Sequence, residues 1–278
     1  MKPKPFSSRL ADGAARARRV RFVDAARSVG VVAAEVAEIV GRLQALDATM
    51  PDRDQLIDEA AQHAAAGKPV PDQVGARFAL IEARHAVLLQ AENRLVGELK
   101  AAIAAHTDEI TAELDGRLDG PRDLFERAAE DLRWQPGQPL GEVALISGDL
   151  AATVVRLPEA VRAAEAVEKT RSELFGGVQG RSKRALPQGA RPHALLLPTD
   201  LSDRDPSEPL GLTPHLSIES VVRAYREGSA TLRVPSPGDL EKAVSDICAA
   251  LDRRAEWAAA RQPFRGGMRL MGGPPLMA

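Results

Sequence analysis

The sequence predicts a mainly α fold: an elongated helical bundle with one long central helix, followed by a Pro/Gly-rich extended arm and a small helical C-terminal region. Three observations carry this. From Pro71 to Arg117, apolar residues recur at Val74, Phe78, Ile81, Leu88, Leu95, Leu99, Ile103, Ile110 and Leu114, in the steps of three, four or seven that one helix face requires. Shorter periodic segments flank that stretch, separated by brief breaks, as in an up-and-down bundle with antiparallel neighbours. Beyond Gly176 the period stops, and prolines stand at 187, 192, 198, 206, 209 and 214.

No proline interrupts Pro71 to Arg117 after its start, so one continuous helix is expected there. About 47 residues at ~1.5 Å each make a rod of roughly 70 Å, which projects or packs in an elongated bundle. Leu88, Leu99 and Ile110 stand eleven apart, a repeat that suits a nearly straight helix. A strict heptad would put His85, Glu92, His106 and Glu113 in its seam, a poor register for a two-stranded coiled coil.

The remaining elements follow in order. Residues 1–27 form a basic N-terminal arm or helix start, with Asp12 and Asp24 the only acids. A helix runs from Phe22 to about Leu46 and stops before Pro51. A short one opens at Asp52 and closes at Gly67, and the long rod follows. Gly120 and Pro121 start a further helix, proline being tolerated in the first turn. Ser147 and Asp149 cap a helix to Leu157, and Pro158 starts the next, to about Phe175. These elements make a helical body over 22–175.

Residues 176–215 read as a flexible linker and extended arm, since each proline removes a donor and biases its predecessor to extended backbone. Ala194 to Leu197 is either a short strand or an apolar plug. Residues 216–262 form a small helical region. Ser217 caps a helix that stops at Gly228, Thr231 to Val234 has the composition of a short strand, and Ser236-Pro237-Gly238-Asp239 starts the last helix. Residues 263–278 are a Gly/Pro/Met tail.

Composition bounds function. The 278 residues are 44% hydrophobic and 27% charged but only 3% aromatic, so the core is built from Ala, Leu and Val. Small side chains bury little area each, and oligomer contacts can supply the rest. A net charge of −2 gives no global field for nucleic acid or acidic lipid. The single cysteine, Cys248, excludes an intrachain disulfide and fits a reducing compartment, with the cytoplasm as default; it reads as a small buried hydrophobe. No secretory leader or membrane span is apparent.

No motif assigns chemistry. Gly176 to Lys183 resembles a phosphate loop only superficially, because lysine comes three residues after Gly180 and a helix precedes it. The dinucleotide glycine pattern and Gly-x-Ser-x-Gly are absent. The five histidines never pair at i, i+4, and no catalytic, cofactor-binding or metal-binding residue is singled out.

The leading expectation is a non-enzymatic structural or assembly protein, a subunit of a larger particle comparable in architecture to phage-type shell components. It would contact copies of itself or other protein subunits through Leu195, Leu196, Leu197, Met268, Leu270, Met271, Leu276 and Met277. Adaptable methionines suit such a groove. The alternative is a nucleic-acid-associated protein using Arg16, Arg18, Arg19 and Arg21 on phosphates, although Phe6 and Phe22 are the only nearby aromatics to stack on bases. A third is an enzyme with a composite site. No membrane role and no cofactor is expected.

Overall fold

The computed structural model describes residues 6–48, 54–69, 71–131, 148–176, 192–198 and 215–261, with Leu201, Asp205, Ser207, Leu210 and Leu212. Among them are nine helices and no strand: α1 (Phe6–Val29), α2 (Ala34–Asp47), α3 (Asp54–Ala65), α4 (Asp72–Ala105), α5 (Thr107–Gly116), α6 (Asp119–Asp131), α7 (Gly148–Phe175), α8 (Ile218–Glu227) and α9 (Pro237–Arg261). The mainly helical bundle with one long helix is what the periodicity predicts.

Three boundaries differ from expectation. The rod is not continuous to Arg117: α4 ends at Ala105, and His106, at φ −105° and ψ 25°, separates it from α5. The Thr107 hydroxyl donates to the carbonyls of Ala104 at 2.9 Å and Ile103 at 3.2 Å, and such back-bonding bends helices. After the bend Ile110, Leu114 and Leu118 are fully buried.

The helix expected from Phe22 to Leu46 is likewise two helices, broken over Gly30–Ala33. A Cβ on Gly30 would lie 3.3 Å from that of Ala37, so glycine lets the turn close against α2. Conversely, Pro158 does not begin a new helix but lies inside α7. Proline there removes one backbone donor, and the burial of Val154, Leu157, Ala160 and Ala164 along the same helix offsets the loss.

Helix α2 runs antiparallel to α4, since Glu35 lies by His106 (3.6 Å) and Arg42 by Glu98 (3.2 Å). Helix α3 continues in the same sense, with Glu59 3.4 Å from Arg77. The main core gathers α1, α2, the C-terminal end of α4, and α5 to α8; Val29, Val36, Leu99, Phe125, Leu157 and Val221 lie in it. Helix α6 packs most extensively on α7 and then on α8, so α8 shares its core with the helices of 22–175.

The segment Ala230–Val234 is held without forming a strand. Leu232 N–H donates to the Tyr225 hydroxyl (3.2 Å), Val234 N–H to Asp115 (2.7 Å) and Arg233 N–H to the Leu195 carbonyl (3.1 Å), while Arg122 donates to the Leu232 carbonyl (3.1 Å). Side chains take most of the partners that a ladder would supply. Helix α9 packs Leu240 against Ala194 and Leu197, and Val244 and Ile247 against Leu201.

Candidate assembly surface

Helix α4 carries two apolar faces. One holds Val74, Phe78, Ile81, Leu88, Leu95 and Leu99, which are buried or half-buried. The other holds Ala76, Leu80, Ala83 and Val87, all exposed. At about 100° per residue these four fall within a stripe about 60° wide, roughly opposite the first face. Leu80 and Val87 are 71% and 66% exposed. Between Val74 and Leu95 no residue of α4 is buried, so among the described residues this part of the helix, about 30 Å long, meets little besides α3 and, near Glu92, α1. Together with α3 it forms a two-helix arm extending from the main core.

The arm is charged along its flanks rather than along the stripe. Arg77 pairs with Glu59 across to α3, and Arg19 of α1 reaches Glu92 at 2.8 Å and Asn93 at 2.9 Å near the base. Positions 76, 80, 83 and 87 bear no charge. Clustered, uncharged apolar side chains in water mark interaction surfaces more often than scattered ones do.

The residues expected to meet partners are distributed differently. Leu195, Leu196 and Leu197 are 0%, 5% and 1% exposed; they form the apolar plug of this chain's own core, and so correct the expectation that they offer a docking surface. Three adjacent leucines are cheaper to bury at home than to leave in water. Met268, Leu270, Met271, Leu276 and Met277 lie outside the described residues.

Of the basic residues on α1, Arg19 is engaged with α4, and Arg21 pairs with Glu173 of α7 at 2.7 Å. Arg18 bonds the Ala14 carbonyl at 3.4 Å, and Arg16 is exposed. The four do not form one free basic face, because acids of two other helices take two of them.

A second feature was not legible in the sequence. Arg171 of α7 has no exposed surface and forms a fork with Glu168 at 2.6 and 2.8 Å, the strong bidentate geometry of guanidinium and carboxylate. Its Nη1 has no hydrogen-bond partner. Beside it, the Nδ1 of half-buried His193 accepts from Leu195 N–H at 3.3 Å. Burial lowers the His193 pKa below 6.5 and Arg171 and His215 add to this, while Glu168 and Glu165 pull it up.

Hollows lie elsewhere among the described residues. A hollow of about 430 Å³ is bordered by Phe22, Lys100, Ile103, Thr107, Glu173 and Phe175, yet Glu173 is tied to Arg21 and the Thr107 hydroxyl to helix carbonyls. A smaller one, about 320 Å³, borders Ser217 and Ser220, whose hydroxyls make the α8 capping box. Cys248 is half-buried in the cluster of Val244 and Ile247. Among the described residues no group of histidine, cysteine, aspartate and glutamate could hold a metal, and no helix is long and apolar enough to cross a membrane. Comparison with protein-family models, curated proteins and solved structures gives no match.

Proposed function

We propose that this chain is a non-enzymatic structural or assembly protein, a subunit that associates with copies of itself into a larger particle, working in the cytoplasm. The observation that carries the reading is the exposed stripe Ala76, Leu80, Ala83 and Val87 on the arm, which no described segment of the chain covers. Burying a leucine or valine contributes about 1.5–3 kcal/mol, so a few such residues paired between subunits supply a useful part of an interface. The Met268 to Met277 tail is proposed as a second contact. Its apolar, methionine-rich composition is the support for that part.

The test is the mass of the native particle by light scattering, before and after nuclease treatment. The expected result is a mass several times the 29.7 kDa of one chain, unchanged by nuclease. A particle that falls apart on nuclease treatment would replace this reading with a nucleic-acid one based on Arg16 and Arg18.

A further inference from the structure

The turn at Pro192–Leu197 places three consecutive leucines in the core, and besides the bond it receives from Arg233 N–H its described hydrogen bonds lie within the turn. Within it, Leu196 N–H donates to the His193 carbonyl at 3.0 Å and Leu195 N–H to the His193 ring at 3.3 Å. Leu195 and Leu196 belong to the main core, whereas Leu197 and Ala194 form the seat of Leu240 on α9. The same turn therefore fastens α9 to the body, and its N-terminal fastening is an imidazole.

An imidazole that accepts at Nδ1 carries its proton on Nε2 and is neutral. A second proton has to go on Nδ1, where it faces the Leu195 N–H. That step converts an acceptor into a donor opposite a donor, and places a cation beside fully buried Arg171. Glu168 and Glu165 face the ring from α7, but Glu168 is already committed to Arg171 through both carboxylate oxygens. Among the described residues His215, from the segment before α8, is a further titratable neighbour and also disfavours the charge.

We infer that His193 is an acid-sensitive latch: neutral, it holds the Leu195–Leu197 turn in the core, and protonated, it releases that turn together with the first turns of α9. The direction of its titration agrees, because burial resists the charged form. Linkage then sets the size of the response. For each unit by which the ring's pKa in the open turn exceeds that in the closed one, full protonation favours opening about tenfold. The inference is independent of the arm surface and of self-association.

The experiment is hydrogen exchange of the full chain at pH 7.5 and 5.0, corrected for intrinsic exchange and followed in peptides covering 192–198 and 237–247, with far-UV circular dichroism in parallel. Wild type should lose protection in both segments on acidification while the helical signal stays nearly constant. His193→Gln, with a neutral acceptor that does not titrate, should stay protected at both pH values, and His215→Gln should still open. Opening of His193→Gln over the same range as wild type, or no opening of wild type, overturns the latch. The NMR titration of the five histidines in the unmodified protein needs no variant: the opening midpoint should follow His193, and a midpoint that follows another histidine overturns it as well.

Discussion

At the scale of single residues, the buried Arg171–Glu168 pair makes the sharpest stability prediction. Removing one partner of a buried ion pair leaves an uncompensated charge and costs about 3–5 kcal/mol, the more so the deeper the charge that is left behind. Glu168→Ala leaves the Arg171 guanidinium, which has no exposed surface, without its carboxylate, whereas Arg171→Met leaves Glu168, 19% exposed at its side chain, where water still reaches it. Glu168→Ala should therefore lower the urea midpoint strongly and Arg171→Met by much less. Equal losses would mean that the fork with Glu168, rather than burial of the charge, dominates. The two perturbed histidines should move stability with pH in opposite senses. His106 is raised above 6.5 by its hydrogen bond to Glu109 at 2.7 Å and then by Glu35. Its contribution is present below 6.5 and is lost as pH rises through the raised value. His193 is lowered, so its contribution is present above 6.5 and is lost as pH falls through the lowered value. The urea midpoint of wild type should thus exceed that of His106→Gln by more at pH 6 than at pH 8.5.

At the scale of elements, local chemistry that fixes a helix end is readable and long-range packing is not. Ser217 accepts from Ser220 N–H at 3.1 Å, Ser236 accepts from Asp239 N–H at 3.1 Å, and Gly228 closes α8 at φ 61°, all where capping residues predict them. Ser217→Ala should cost about 1 kcal/mol, and Gly228→Ala about as much, because a side chain is strained at that φ. Chemical denaturation of the two variants checks this. The missed breaks have a different cause. The period through Ile103, Ile110 and Leu114 continues across His106 because both α4 and α5 turn apolar residues to one core, so periodicity cannot see the bend. Pro158 stays helical because the core holds both halves of α7, and a local rule for proline contains no such term.

At the scale of the whole molecule, the mainly α architecture and the long helix were legible because each rests on hydrophobic period. The proposed interaction surface was only half legible. Leu195 to Leu197 and Leu80 with Val87 are similar apolar groups in the sequence, and only packing shows that the first three are consumed at home and the other two are left outside. A signal did exist: Ala76, Leu80, Ala83 and Val87 form a second period on a helix whose first period already serves its own chain. The central claim is that this second period joins subunits. Its most direct test is the solution mass of wild type beside Leu80→Glu/Val87→Glu. Both substitutions are on an exposed face, so the helical circular-dichroism signal should be unchanged while the mass falls below the multiple of 29.7 kDa that wild type shows. A wild-type protein that is monomeric at every concentration up to the highest attainable, or a double variant that assembles as wild type does, would contradict it.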